Sequence, residues 1–280
     1  MKLGKLIYNV SLCAVGVMFT ACSDIAEDER FIYVEPAEVA KRVLIEDFTG
    51  QRCVNCVTGA ATIEQIMETY GEENVIAVGL YGGALGSEPL GGPPYPLTIE
   101  ESEWYYAHWG IEGSPQPMAM IDRGAIISNI ADWPAAVRDR IQMQAPVLLE
   151  ASCNYDAASR QVEITVDADG VSAISGQLQV WLTEDSIVSK QSIPGQREMD
   201  EDYVHNHVFR ATVNAPMGDA VTVGVGERAT RTFTYTLKED WVADNMSVVT
   251  FIYDDSGVLQ AAKAPIIPKA EDAEGEGGAE

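Results

Sequence analysis

Basic residues are scarce in this chain of 280 residues, which has 18 lysines and arginines against 43 aspartates and glutamates. The resulting net charge of −25 excludes nucleic acid as a partner, because binding to phosphates needs a positive footprint. The sequence also has no phosphate-binding glycine loop, no Ser/His/Asp order and no paired-carboxylate pattern. We therefore expect none of these chemistries and no bound cofactor.

Metal ligands are also few. The chain has three histidines, His108, His205 and His207, and a single Cys-x-x-Cys pair. A zinc site would need two further ligands beside that pair, so zinc is the weakest interpretation and we predict no metal. His205 and His207 lie two residues apart and would share one side of a strand, where hydrogen-bonded histidines are favoured over a metal site.

Long hydrophobic runs are missing as well, since crossing a membrane as a helix takes about 20 apolar residues. Residues 1–21 instead have the pattern of a secretion signal, with two lysines ahead of an apolar run that Asn9 and Ser11 interrupt. The small residues before Cys22 resemble the lipobox of bacterial lipoproteins. The resemblance implies cleavage before Cys22 and lipid on that cysteine, which would anchor the protein in a membrane. An uncleaved membrane anchor is the alternative.

The most distinctive motif is the pair Cys53 and Cys56, which directly follows a buried-strand pattern at 43–48. At the first turn of a helix this spacing brings two sulfurs within bonding reach, and free N–H groups stabilise the outer thiolate. Asp47 lies six residues before Cys53, where it could exchange a proton with the inner sulfur. Downstream, the stretch Gly-Ile-Glu-Gly-Ser-Pro at 110–115 leads into an apolar strand, and its X-Pro bond is a candidate cis peptide.

These motifs together resemble the thioredoxin family. The resemblance implies a catalytic set of Cys53, Cys56, Asp47 and Pro115, in which an exposed Cys53 attacks a substrate disulfide and Cys56 resolves the mixed intermediate. It also implies that Pro115 and Ser114 position the substrate. A static disulfide between the two cysteines is the alternative to an exchangeable pair.

Two further features lie near the expected site. Trp109 belongs to an aromatic cluster ahead of the 110–115 stretch and is our candidate for lining a peptide groove, although such clusters more often serve packing. Residues 82–97 are rich in glycine and proline and form a long loop that could rim the cysteines. The remaining cysteine, Cys153, shares a strand face with Leu149 and Tyr155, so we predict that it is buried and inert.

The length exceeds one ordinary domain and predicts two. Residues 41–145 have a β-α-β order and predict an α/β, thioredoxin-like domain, whereas the short alternating segments of 146–268 predict an all-β sandwich, Ig-like or jelly-roll-like. An acidic tether at 22–40 precedes these domains. A polar tail at 269–280 follows them, and we expect it to be disordered.

A lipobox, the Phe-Thr-Gly-x-x-Cys-x-x-Cys motif and a β-rich second half containing residues 204–210 resemble the Omp28 family of outer-membrane lipoproteins, over nearly all of the chain after Cys22. The resemblance implies an outer-membrane location, and the acidic stretch after Cys22 is similar to a signal for surface display. Two functions follow. One is thiol–disulfide exchange on exported proteins or peptides, and the other is a surface binding protein or adhesin with a thioredoxin-like scaffold.

Overall fold

A computed structural model describes residues 39–86 and 97–268. The predicted signal peptide, Cys22 with its lipid, most of the tether and the tail at 269–280 therefore lie outside the described residues. So does the middle of the loop predicted at 82–97.

Strands dominate the described part of the chain, and helices are few. The elements in chain order are β1 (Val43–Thr49), α1 (Cys56–Tyr70), β2 (Val75–Tyr81), α2 (Glu100–His108), β3 (Met118–Ile121), β4 (Ile126–Ile127), α3 (Trp133–Ile141), β5 (Val147–Asp156), β6 (Gln161–Gly170), β7 (Ile174–Glu184), β8 (Ile187–Val188), β9 (Val204–His205), β10 (Val208–Thr212), β11 (Asp219–Val223), β12 (Arg228–Thr236), β13 (Met246–Asp254) and β14 (Gly257–Pro265).

The first three elements form the predicted β-α-β unit. Strands β1 and β2 pair in parallel, and both are buried along their whole length, as strands covered on both faces are. Helix α1 connects them and ends at Tyr70, and the following residue, Gly71, has a positive φ of 91°, which favours glycine. Strand β3 then pairs with the other edge of β1 in antiparallel orientation.

Alternate residues of β1 point to opposite faces of the sheet. Val43 and Ile45 pack with α1 and α3 in one hydrophobic cluster. Leu44 and Phe48 pack on the other face in a second cluster, which includes Tyr105 of α2. Helices α1 and α2 therefore cover opposite faces of the sheet, and this separation decides which side chains can reach the cysteines.

Strands from both halves of the chain share one large mixed sheet. Its order is β14-β13-β7-β10-β2-β1-β3-β4, with β11 also paired to β7. Strand β10 joins β2 at Val208 and Gly79, and the Gly79 N–H donates to the carbonyl of His207 at 2.7 Å. The boundary predicted at residue 146 thus lies between strands that belong to one sheet, and the two-domain division stays a prediction.

A second, antiparallel sheet has the order β12-β6-β5. Its inward side chains, such as Leu149 and Ile164, share a hydrophobic cluster with Leu182 of β7 and Val248 of β13, so the two sheets pack face to face. Cys153 packs against this cluster on the predicted face but is only partly buried, so the prediction of a fully buried thiol is wrong. Its partial burial still raises the pKa of the thiol to about 12.

Candidate functional site

The two cysteines form a disulfide at the start of α1. Residues 50–55, which we name the motif loop, leave β1 and turn into the helix, so that α1 begins at Cys56 and Cys53 precedes it. The Cys56 N–H donates a hydrogen bond to Cys53 Sγ at 3.1 Å. An amide aimed at this sulfur would stabilise a thiolate there once the disulfide is reduced.

The disulfide is covered. Cys53 is 1% exposed and Cys56 is 4% exposed, so the prediction of an exposed Cys53 is wrong. The exposed residues of the motif loop are Arg52, Val54 and Asn55. A substrate sulfur cannot touch Cys53 in this conformation.

Two segments far apart in sequence cover the motif loop. On one side the Arg52 N–H donates to the Leu85 carbonyl at 3.1 Å, and a Cβ at Gly50 would collide with that carbonyl oxygen. On the other side the Ser192 N–H donates to the Gln51 carbonyl at 2.8 Å. Position 50 therefore requires glycine, because the 83–86 turn lies directly against its backbone.

Buried amide side chains fix the second contact. Gln191 Nε2 donates to the Cys53 carbonyl at 2.9 Å. Gln51 Nε2 donates to Ser189 Oγ at 2.8 Å and to the Lys190 carbonyl at 2.9 Å. Sequence reasoning missed these residues, since a single glutamine has no pattern that marks it as buried.

Asp47 lines the same cavity as Cys56, the inner cysteine. It is 6% exposed, and the cavity, which Tyr81 and His205 also line, has a volume of about 50 Å³. Its Oδ1 has no hydrogen-bond partner among the described residues. Burial raises the pKa of this carboxyl to about 7, so it can take up or release a proton near neutral pH. The cavity has room for water, which would complete a proton path to the sulfur.

His205 closes the cavity from the second half of the chain. Its Nε2 lies 3.2 Å from the Ser189 carbonyl, which can only accept, so Nε2 carries the hydrogen and Nδ1 accepts from the Tyr81 hydroxyl at 2.9 Å. Burial lowers the pKa of His205 to about 4 and keeps the ring neutral. The predicted hydrogen-bonded role is confirmed. His207 lies between β9 and β10 with a φ of 57°, so the prediction that the two histidines share one side of a strand is wrong. Its Nδ1 lies 3.1 Å from Asp185 Oδ1. Within the described ranges no three candidate ligands are grouped to hold a metal.

The proline loop differs from the prediction in register. The cis peptide bond joins Gln116 and Pro117, so the prediction that it precedes Pro115 is wrong by two residues. Pro115 is exposed, whereas Pro117 is buried directly before β3, with its ring close to Gly59 of α1. Pro117 is the buried proline because it directly precedes β3, which pairs with β1, and because its ring packs against α1.

Gln116 is a second residue that sequence reasoning missed. Its Nε2 donates to the Thr49 carbonyl at 2.8 Å and to the Gly82 carbonyl at 2.9 Å, and its Oε1 accepts from the Leu85 N–H at 3.1 Å. One buried amide thus holds the end of β1, the start of the 82–86 turn and the proline loop together.

The two predicted substrate-binding residues are not brought to the cysteines. Trp109 follows α2 and packs in the cluster on the opposite face of the sheet, where the Arg123 guanidinium lies 5.9 Å from its ring centroid. Ser114 is half-buried in a turn, with its N–H donating to the Ile111 carbonyl at 3.0 Å. Neither lines the cavity beside Cys56. Their role in substrate binding stays a prediction.

A family model described as outer membrane protein Omp28 matches residues 102–269. The chain belongs to the Omp28 family. The predicted outer-membrane location is thereby confirmed. The Omp28 match is narrower than the resemblance implied, since it begins after both cysteines and includes Gln191 and His205 but not the motif loop.

Solved structures resemble this Omp28-family chain at low sequence identity. HBP35 of Porphyromonas gingivalis is 16% identical, with a TM-score of 0.62 over 84% of this chain and 79% of that one, so the two share a fold. A domain of the outer membrane lipoprotein Omp28 from Porphyromonas gingivalis is 22% identical, over 45% of this chain and 92% of that one, with a TM-score of 0.33. No curated protein sequence matches. Within the described residues, none of the helices has the length and apolar character needed to span a membrane.

Proposed function

We propose that this outer-membrane protein performs thiol–disulfide exchange on exported proteins or peptides, through Cys53 and Cys56 in a thioredoxin-like half that precedes a β-sandwich half. The observation that carries the proposal is the buried Asp47 carboxyl, which has a pKa of about 7 and lines a cavity together with Cys56. Its Oδ1 has no hydrogen-bond partner in the part of the chain that the structure describes. The parallel β1-α1-β2 unit, the disulfide at the start of α1 and the cis-proline before β3 support the thioredoxin-like assignment.

The exchange reaction starts from the oxidised pair. A substrate thiolate attacks Cys53 Sγ, the Cys53–Cys56 bond breaks, and a mixed disulfide forms while Cys56 leaves as a thiolate. Asp47, in its protonated form, donates a proton to that sulfur. A second substrate thiolate then attacks the mixed disulfide and releases Cys53, so that the substrate gains a disulfide and the protein gains two thiols. The same steps in reverse reduce a substrate disulfide.

Reduction of insulin by dithiothreitol tests the proposal. We expect the wild-type protein to accelerate it, Cys53→Ser to abolish the acceleration, and Cys153→Ser, as a matched cysteine control, to leave it unchanged. The contribution of Asp47 is expected in the pH profile, where Asp47→Asn removes the inflection near pH 7. A wild-type rate equal to that of dithiothreitol alone would refute the exchange function.

A second function has its own supporting observation. Both sulfurs are at most 4% exposed, as a static structural disulfide would be, and this favours a surface binding protein or adhesin built on the same scaffold. In that case Cys53→Ser would lower the stability of the protein, while insulin reduction would show no dependence on either cysteine.

We also propose that lipid on Cys22 anchors the protein. Metabolic labelling with a fatty acid should mark the wild-type protein and leave Cys22→Ser unlabelled and released from the membrane fraction. Protease treatment of intact cells tests surface display, because an inward-facing protein is protected until the cells are lysed.

A further inference from the structure

Residues 186–206, which we name the strap, connect β7 to β10 and pass over the cysteines. Strands β8 and β9 of the strap pair with each other, with Ile187 opposite His205 and Val188 opposite Val204. Its contacts with the motif loop are those of residues 189–192 described above. The strap is therefore one of the two segments that cover the motif loop and Cys53.

The strap is attached mainly by polar groups. Ser189, Gln191 and His205 are its fully buried polar anchors, at 0%, 3% and 1% exposure, whereas Val188 and Val204 are each 50% exposed. Most of residues 193–202 are exposed. Segments with few buried apolar side chains are those that open locally while the rest of the fold stays intact. An apolar contact that opposes opening of the strap is that of Ile187, which is partly buried against the cluster containing Tyr81.

The strap bonds to the motif loop through groups that any extended polypeptide possesses or can imitate. The acceptors on the loop are main-chain carbonyls, those of Gly50, Gln51 and Cys53. In the other direction, the Gln51 side-chain amide donates to Ser189 Oγ and to the Lys190 main-chain carbonyl. The donors on the strap are the Ser192 main-chain N–H and the Gln191 side-chain amide. A substrate segment in extended conformation offers a main-chain N–H at every residue other than proline and needs no particular side chain to make the first of these bonds.

We propose that the strap occupies the position of an extended polypeptide substrate beside Cys53, and that the substrate takes this position when the strap opens. The site then selects unfolded or flexible segments of exported proteins, whose backbone replaces that of the strap on the motif loop. The assignment of the displacing ligand as a redox substrate rests on the function proposed above. The opening of the strap does not rest on that function, because the rate at which a small reductant reaches the disulfide reports the opening in either case.

The first experiment measures how fast excess dithiothreitol reduces the Cys53–Cys56 disulfide, with the free thiols trapped and counted over time. Gln191→Ala removes the side-chain amide that donates to the Cys53 and Gly50 carbonyls of the motif loop and to the Ser192 carbonyl of the strap. We expect reduction about tenfold faster, in line with the loss of one or two hydrogen bonds of ordinary net strength. Gln196→Ala, a change of the same kind at an exposed position of the strap, should reduce at the wild-type rate.

Hydrogen exchange on the wild-type protein tests the same opening without a substitution. The Ser192 amide, which donates to the Gln51 carbonyl, should exchange well before the amides of β1 and β2, because local opening of the strap releases it. Exchange of the Ser192 amide only together with the β1 amides would overturn the proposal. An unchanged reduction rate in a folded Gln191→Ala would also overturn it.

A second assay identifies the ligand class. In Cys56→Ser, the Cys53 thiolate attacks the cysteine sulfur of an adduct with thionitrobenzoate, which leaves as a coloured thiolate while the mixed disulfide forms. An unstructured peptide adduct should react faster than the adduct of free cysteine, and Gln191→Ala should increase both rates. Equal rates for the two adducts would overturn the peptide site. Absence of insulin reduction with faster reduction of Gln191→Ala would overturn the exchange function alone.

Discussion

The buried carboxyl of Asp47 makes a prediction whose size follows from the structure. Its pKa rises from the ordinary value of 3.8 to about 7 because burial disfavours the charged form. Unfolding exposes the group, which then ionises above pH 4, whereas in the folded protein it stays protonated up to about pH 7. The free energy of unfolding therefore falls across this window by about 4 kcal/mol, with the full loss present above pH 7.

Asp47→Asn removes this pH dependence. The free energy of unfolding of variant and wild type is to be measured in urea at pH 4 and at pH 8. The difference, variant minus wild type, should be about 3 to 4 kcal/mol more favourable to the variant at pH 8 than at pH 4. Comparing two pH values cancels any constant effect of the amide in the cavity. Asp255→Asn, at an exposed turn, should show no such change. A pH dependence of Asp47→Asn that matches wild type within about 1 kcal/mol would mean that Asp47 is ionised in the folded protein, and the proposed proton transfer would lose its basis.

Three other predictions concern the rest of the fold. Arg123→Met leaves the buried Glu46 without its cation at 3.5 Å and should lower the free energy of unfolding, measured in urea, by about 3 to 5 kcal/mol. Adding Glu46→Gln should recover much of this loss, and full additivity of the two changes would contradict the pairing. Cys153 should resist iodoacetamide at pH 8 until the protein is unfolded, because burial raises its pKa to about 12; rapid modification of the native protein would contradict this. The two-domain division predicts that residues 146–268 fold alone, because one hydrophobic cluster lies wholly within them; a fragment without cooperative unfolding would contradict it.

Local patterns were enough to predict the β1-α1-β2 unit. The apolar runs of β1 and β2, the helical spacing of α1 and the glycine that follows it are each patterns of residues close together in sequence. Each could therefore be recognised without knowledge of the rest of the chain. The pairing of β10 with β2 could not, because Val208 and Gly79 are brought together by the whole intervening chain. The choice between one shared sheet and two separate ones is a property of such distant pairings.

The site was predictable to the same extent. Cys53, Cys56 and Asp47 follow one another along β1 and its loop, and the structure places the carboxyl at the cavity that Cys56 lines. The cover was missed because the strap reaches the motif loop through single polar side chains, such as Gln191, that have no periodicity. The register of the cis bond was missed because two X-Pro bonds lie two residues apart, and packing against β3 and α1 distinguishes them.

The electrostatic surroundings of the buried acids bear on the choice between an exchangeable and a static disulfide. Glu46 lies 3.5 Å from Arg123, and Asp122 lies 3.1 Å from Lys41, so each of these buried carboxylates has a cation. Asp47 has no ion pair among the described residues. A static disulfide gains nothing from an uncompensated acid that lowers stability by about 4 kcal/mol at pH 8, whereas a sulfur that must receive and return a proton does. Among these three acids, the one with no ion pair in the described part of the chain shares a cavity with Cys56, and this placement favours exchange.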